Sequence, residues 1–442
     1  MSYLAAKIQN GTSSVLPAVK RGIERMRMAV TRPAQMLLIT GPLSALGSLC
    51  VDLYLPALPS LSRDLHASTS AAQASLTTCL IGLALGQVII GPVSDRVGRR
   101  LPLFCGLLAF ILAAAGCAAA PDIYVFLAFR FLQGLGGAAG IVVCRAIVRD
   151  LYSGAVAARF FSMLMTVVGV GPLLAPQLGA ALLTLGSWRF LFAALAAAGL
   201  VLLAAAYFCL PETLTPANRS GDSIGATVRT MRSVATDRAF LVNALACGIG
   251  FGAIFAYVSG APFALENSFG LSPAQFSLAF GLNGAGLILA SHVNGRLVGR
   301  LGPVRLFTFG AVGLAAGSVG LLVILATHSL GLAAVLGCMF LVLSSNGFVA
   351  PNAMALALND FPHAAGSASA LLGVLQFSIG AAAAPLVGVA GPDNDLPMGI
   401  AMAFFGVSAL TVRTLLRRRP PGPAVLAAGP APPCDRAAGA QR

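Results

Sequence analysis

"MLLITGPLSALGSLCVDLYLPAL" occupies residues 36–58, and its length decides what kind of molecule the chain makes. At a rise of about 1.5 Å per residue such a run forms a helix of roughly 35 Å, enough to cross a hydrocarbon core of about 30 Å. It contains one charge, Asp52, near its end. An acid at the centre of a membrane helix costs about 2.5–3.5 kcal/mol on insertion scales, and acids retained there mark transport pathways or proton relays. Asp52 is therefore the first functional candidate, and it calls for a neighbour that makes its charge tolerable.

The pattern repeats. Apolar runs of similar length occur at 36–58, 72–93, 101–120, 123–144, 160–183, 188–210, 239–262, 275–298, 304–326, 330–354, 365–388 and 396–416. The whole chain is 57% hydrophobic and 10% charged, whereas a soluble domain carries about 25% charged residues. The expected fold is an all-α polytopic membrane protein with 12 transmembrane helices. Its net charge of +14 raises the question of nucleic acid. The distribution argues against that partner: 25 of the 28 Lys and Arg fall before the first run, after the last, in alternate connections or within a turn of these, and only Arg63, Arg130 and Arg189 lie elsewhere. This is the positive-inside pattern; it places both termini in the cytoplasm, with the lipid bilayer as the partner. No basic cluster is interleaved with stacking aromatics. The nine cysteines contain no C-x-x-C pair and read as small membrane hydrophobes.

The longest internal polar stretch lies between the sixth and seventh runs. It divides the chain into a cytoplasmic segment 1–35, a six-helix bundle 36–210, a cytoplasmic loop 211–238, a second six-helix bundle 239–416 and a disordered tail 417–442. An internal echo supports the division. "GPVSDRVGRRLPLF" (91–104) and "RLVGRLGPVRLFTF" (296–309) join corresponding runs, with Arg300 on Arg96, Gly302 on Gly98 and Gly299 in place of Asp95. Paired six-helix halves around a midplane site are common among secondary transporters. In the first of these loops Gly91 and Gly98 permit a tight backbone, while Asp95, Arg96, Arg99 and Arg100 concentrate charge in a chain that otherwise avoids it. The arginines anchor topology. Asp95 is expected to meet the N-terminus of the eleventh helix, near Ala365–Ser367, when the cytoplasmic side closes.

G-x-x-x-D-R-x-G-R-R at 91–100 resembles the signature loop of the major facilitator superfamily. "FRFLQGLGGAAG" (129–140) resembles the fourth-helix motif of its drug/proton antiporters, and "GVGPLLAPQLGA" (169–180) their fifth-helix motif. "VDLYLPALP" (51–59), "RAIVRDLY" (145–152), "SWRFLF" (187–192), "PET" (211–213) and "APNAMALALNDFPHAAGSAS" (350–369) narrow the resemblance to the bicyclomycin/chloramphenicol-resistance branch. The likeness spans about residues 36–416 and implies two pseudo-symmetric bundles, a monomer and the bacterial inner membrane. It departs at Ala175-Pro176, where two glycines are usual, and at Val167. Gly171, Pro172, Pro176 and Gly179 are expected to pack the fifth helix closely, since Gly171, Ala175 and Gly179 form a small-residue stripe. Ser44 stands where some multidrug relatives carry a second acid.

Arg130 supplies the neighbour that Asp52 requires. The two residues lie at similar depth in helices of opposite direction, so they are expected to face one cavity and couple proton movement. The competing reading has Arg130 bracing backbone carbonyls. Gln133 follows one turn later on the same face. Tyr54, Gln133, Phe251, Phe255, Tyr257, Asn283, Gln376 and Phe377 are the candidate cavity residues.

Other chemistries drop out. "GLGGAAG" (134–140) sits inside an apolar helix with no preceding strand, so it is packing and not a dinucleotide fingerprint. The two lysines, Lys7 and Lys20, follow no glycine loop, so there is no Walker A. No enzyme motif, metal-ligand set or cofactor site is expected. The function expected is proton-coupled export of small amphipathic compounds such as bicyclomycin- or chloramphenicol-type drugs, with the small molecule and protons as partners. The alternative on this fold is a nutrient or metabolite transporter.

Overall fold

The computed structural model describes residues 33–152, 154–215, 219, 229, 232–327, 330–358, 365–389, 391 and 394–416. The tail 417–442, nearly all of the segment 1–35 and much of the loop 211–238 lie outside these residues. Among these residues twelve long helices follow in order: α1 (Pro33–Asp52), α2 (Thr69–Val97), α3 (Arg100–Ala119), α4 (Ile123–Leu151), α5 (Gly154–Leu183), α6 (Trp188–Cys209), α7 (Arg238–Phe263), α8 (Pro273–Leu301), α9 (Pro303–Thr327), α10 (Leu332–Leu358), α11 (Ala365–Val387) and α12 (Leu396–Leu416). Among the described residues, nine spans are long and apolar enough to cross a membrane by themselves, and apolar stretches of α5, α11 and α12 add three shorter ones.

Most helices outrun the apolar runs that forecast them, because polar caps lie beyond the hydrocarbon limits. Ser68 accepts from Ala71 N at the start of α2, Asp122 from Tyr124 N and Val125 N at α4, and Asp237 from Phe240 N at α7. Ser272 and Gln275 form a reciprocal capping box at α8. Each supplies an acceptor to N–H groups that a helix start leaves unpaired. The first pass differs most from expectation. It is not one helix to Leu58: α1 ends at Asp52, and a 3-10 turn (Leu55–Ala57) and a short helix (Leu58–Asp64) complete it. Pro56 has no N–H to give the Asp52 carbonyl, so the α-helical ladder stops there.

The internal echo has a structural counterpart. Gly98 ends α2 with φ +104° and Gly302 ends α8 with φ +76°, a left-handed region that favours glycine. Within the first bundle, α4 packs against α1, α2 and α3. A side chain at Gly134 would strike the carbonyl of Cys79, and one at Gly140 the carbonyl of Leu43, so the glycine run at 134–140 serves close helix approach.

The two bundles meet along α2 with α11 and α5 with α8, and α7 also touches the 3-10 turn and short helix that complete the first pass. Every described hydrogen bond between them lies at the end opposite the basic 97–100 and 301–303 connections. Ser70 Oγ donates to the Pro385 carbonyl at 3.1 Å, Gln73 Nε2 to Ser259 at 2.9 Å and Thr77 Oγ1 to Ala381 at 2.6 Å. Gln177 Nε2 donates to the Ser277 carbonyl at 3.0 Å, and Ser277 Oγ to Pro176 at 2.9 Å. The bundles are joined at that end.

Candidate functional site

The break in α1 organises the centre. Leu53 N to Leu49 O, at 3.0 Å, is the last helical bond before the turn. The Cys50 carbonyl is thus among the acceptors a helix end leaves unpaired. Arg130 Nη1 donates to it at 2.9 Å and to Gln133 Oε1 at 2.5 Å, while Nε reaches the Ser75 carbonyl at 3.4 Å. The guanidinium carbon sits 4.4 Å from the centre of the Tyr54 ring and 5.7 Å from that of Phe192. Tyr54 donates its hydroxyl to Ser75 Oγ at 2.7 Å, since that hydroxyl already donates to the Ala72 carbonyl. Arg130, Gln133 and Tyr54 are all fully enclosed. Arg130 Nη2 and Gln133 Nε2 have no hydrogen-bond partner among the described residues.

The expected Asp52–Arg130 ion pair is absent. Ion pairs among the described residues join Arg99 to Asp95 and to Asp150. The reason is local: the carbonyl freed by the break lies two residues before Asp52, and Arg130 caps it under the Tyr54 ring. Asp52, buried but 7% exposed, lies instead within electrostatic range of Cys79 and of Tyr257 in the second bundle.

In the second bundle, Asn283 Nδ2 donates to the Tyr257 hydroxyl at 3.0 Å, and Tyr257 stacks on Phe280 with ring centres 5.2 Å apart. Phe251 lies 6.0 Å from Phe255 and 6.3 Å, edge-on, from Phe377. Gln376 is turned away into packing, donating to Cys247 Sγ at 2.9 Å. The candidates thus fall into three groups: Arg130 with Tyr54 and Gln133, Tyr257 with Asn283, and the aromatic trio of α7 and α11, with Asp52 within electrostatic range of Tyr257. On α5, a side chain at Gly179 would strike the Leu53 carbonyl, Gly171 has Ser48 3.9 Å from its Cβ position, and the Pro176 carbonyl accepts from Ser277. The Pro172 side chain lies outside the described residues.

At the basic end, Arg99 is the hub. It donates to Asp150 at 2.8 and 3.2 Å, to Ser94 Oγ at 2.9 Å and to Asp95. Burial alone would lower its pKa, but the hydrogen bonds and charges of Asp150 and Asp95 more than offset this and raise it. Glu212 accepts from the backbone N–H of Arg99 at 2.8 Å and of Arg100 at 3.1 Å, clamping the start of α3. Thr213 Oγ1 adds a bond to Asp150 at 2.9 Å, and Arg100 donates to the Tyr207 carbonyl at 2.8 Å. Gly98 lies against Glu212, Gly91 is open apart from Val142, and Arg96 lies in the last turn of α2. Asp95 bonds Arg99 here; the side chains of residues 365–367 are outside the described set. Asp150 and Glu212 were missed as functional residues. Both stand in the motifs "RAIVRDLY" and "PET", and their rarity, in a chain with only 14 acids, is the sequence signal that marks them.

Residues 41–385 match the Major Facilitator Superfamily. The chain belongs to that superfamily. An uncharacterized MFS-type transporter, YdgK of Bacillus subtilis, is 40% identical over 381 residues, covering 84% of this chain and 94% of its own. A bicyclomycin resistance protein homolog of Haemophilus influenzae is 31% identical, covering 82% and 91%. A chloramphenicol resistance protein of Pseudomonas aeruginosa is 33% identical, covering 78% and 83%. These relatives place the transporter in the bicyclomycin/chloramphenicol-resistance branch of the superfamily. The xylose transporter XylE of E. coli, solved in a partially occluded inward open conformation, superimposes with a TM-score of 0.67 at 18% identity, covering 88% of this chain and 98% of XylE. That likeness establishes the fold: two six-helix bundles of a multi-pass membrane transporter.

Proposed function

We propose that this transporter is a proton-coupled exporter of small amphipathic compounds, acting as a monomer in the bacterial inner membrane. The observation that carries the reading is Asp52, a buried carboxylate inside a membrane span, without an ion-pair partner among the described residues and within electrostatic range of Tyr257 in the second bundle. Taking up a proton removes the cost of holding charge in hydrocarbon, and intramembrane acids on bundle interiors serve proton relays. The relatives' resistance to bicyclomycin and chloramphenicol supports drug-like cargo. The Phe251, Phe255 and Phe377 rings, of which Phe251 and Phe377 are only partly buried, supply an apolar wall for such cargo.

The positive-inside pattern puts the basic end in the cytoplasm, so bundles whose described hydrogen bonds all lie at the opposite end fit an inward-facing conformation. In this state Asp52 releases its proton inward and cargo enters from the cytoplasm. The bundles rock, the outer hydrogen bonds part, and a proton from outside displaces the cargo. Arg130 takes part by holding the end of α1, which fixes where Asp52 stands.

The test uses inverted membrane vesicles from a pump-deficient bacterium expressing the full chain. Chloramphenicol or bicyclomycin added to energised vesicles should release protons from the lumen, followed with a pH-sensitive dye. Asp52→Asn should abolish both this release and uphill drug accumulation while leaving the protein folded, because the change removes the titrating group at nearly constant shape. Uphill accumulation by the Asn variant would remove Asp52 from the coupling role.

A further inference from the structure

Two thiols touch in the membrane interior. Cys50 Sγ on α1 and Cys79 Sγ on α2 lie 3.7 Å apart, and both residues are fully buried. Cys50 donates its S–H to the Gly47 carbonyl at 3.0 Å, which leaves Cys79 to donate across the gap. Both backbones are fixed by α4, since Arg130 holds the Cys50 carbonyl at 2.9 Å and Gly134 lies against that of Cys79. The sulfurs therefore face each other as a consequence of helix packing and not of chance side-chain rotation. A disulfide measures about 2.05 Å, so bond formation needs the sulfurs to close by about 1.7 Å, a movement that χ1 rotation can supply. Asp52, two residues from Cys50, is 7% exposed, which brings solvent close to the pair. The other described cysteines are Cys105, Cys117, Cys144, Cys209, Cys247 and Cys338, all free.

We propose that Cys50 and Cys79 form an intramembrane redox pair, which hydrogen peroxide closes to a disulfide that ties the broken end of α1 to α2 beside Asp52. Peroxide is neutral and little larger than water, so it can enter where Asp52 is partly exposed. One sulfur, having given up its proton, attacks a peroxide oxygen; the O–O bond breaks and water leaves, giving a sulfenic acid. The second sulfur then attacks the first. The S–S bond forms, the S–O bond breaks, and the hydroxide leaves with the second thiol's proton as water. Two thiols and one peroxide thus yield one disulfide and two waters. A thiol reductant reverses the change by exchange.

The experiment uses the full-length protein in phosphatidylcholine vesicles and needs no knowledge of the cargo. After hydrogen peroxide treatment, free thiols are blocked with N-ethylmaleimide and the protein is digested for mass spectrometry. A Cys50–Cys79 linked peptide should appear, and dithiothreitol should abolish it. Amide hydrogen exchange across residues 49–57 should slow roughly tenfold in the oxidised protein, because the tie suppresses local opening at the break. Cys79→Ser should show neither effect relative to its own untreated sample. The wild-type comparison with and without dithiothreitol carries the result even where that variant folds poorly. Oxidation confined to exposed cysteines such as Cys105 and Cys209, with no linked peptide, would overturn the pair. A linked peptide with unchanged exchange at 49–57 would overturn the tie.

Discussion

Arg130 directs its donors to carbonyls and an amide, and this changes what its removal should do. Arg130→Ala leaves the Cys50 carbonyl and the Gln133 amide oxygen without this donor in a buried setting, while the Ser75 carbonyl keeps its bond from Thr78 Oγ1. An orphaned buried group costs about 1–3 kcal/mol, so this variant should be clearly less stable than the wild type in thermal unfolding. Asp52→Asn should unfold close to the wild-type temperature. Arg130→Lys should recover only part of the loss, because an ammonium cannot reproduce the planar fork beneath Tyr54. A Lys variant as stable as wild type would show that the fork is not what holds the end of α1. The sequence made both residues conspicuous, since each is a charge in an apolar run. Their actual partners were not legible: the carbonyl that Arg130 caps exists as a free acceptor only because the helix breaks before Pro56. Pro56 was in view, but its effect on a carbonyl six residues earlier depends on where the ladder fails.

At the scale of elements, the connection between α2 and α3 is held from a distance in sequence. Glu212, 113 residues beyond Arg99, receives two backbone N–H groups at the start of α3. Glu212→Gln keeps the shape but weakens charge-assisted bonds worth about 1.5–3 kcal/mol, so thermal stability should fall and proteolysis at 96–100 should speed up. The counterpart connection after α8 offers a control. Arg300 is exposed, and Arg300→Gln should change stability by no more than about 0.5 kcal/mol, as surface substitutions do. Equal losses from both substitutions would mean that Glu212 contributes no more than a surface charge. The internal echo made the two glycine-ended turns legible, because Gly98 and Gly302 recur at a fixed offset and both take positive φ. It could not reveal that one turn is clamped, since the clamp comes from "PET" beyond α6.

The whole molecule is joined across its bundles by neutral groups, and the lock can be weakened without touching a charge. Gln73 from α2 donates to a carbonyl of α7, and Gln177 from α5 to a carbonyl of α8. The two glutamines thus lie on different helices of the first bundle and grip different helices of the second. Helix count, basic asymmetry and motif order made the paired-bundle architecture readable in the sequence. The state in which the bundles rest was not, because it depends on amides that composition treats as ordinary polar residues. Side-chain hydrogen bonds between membrane helices average about 0.6 kcal/mol. Losing both should therefore move the balance between states toward separation at this end by roughly eightfold. The change can be read by placing spin labels at exposed Leu185 and Leu330, one at the same end of each bundle, and measuring their distance distribution. Gln73→Ala with Gln177→Ala should populate a longer distance, each single variant should give a smaller shift, and Glu212→Gln should give none at this end. An unchanged distribution in the double variant would mean that the two amides are not the lock, and that the remaining bonds from Ser70, Thr77 and Ser277, with the close approach of Gly388 to Ser70, keep the bundles together.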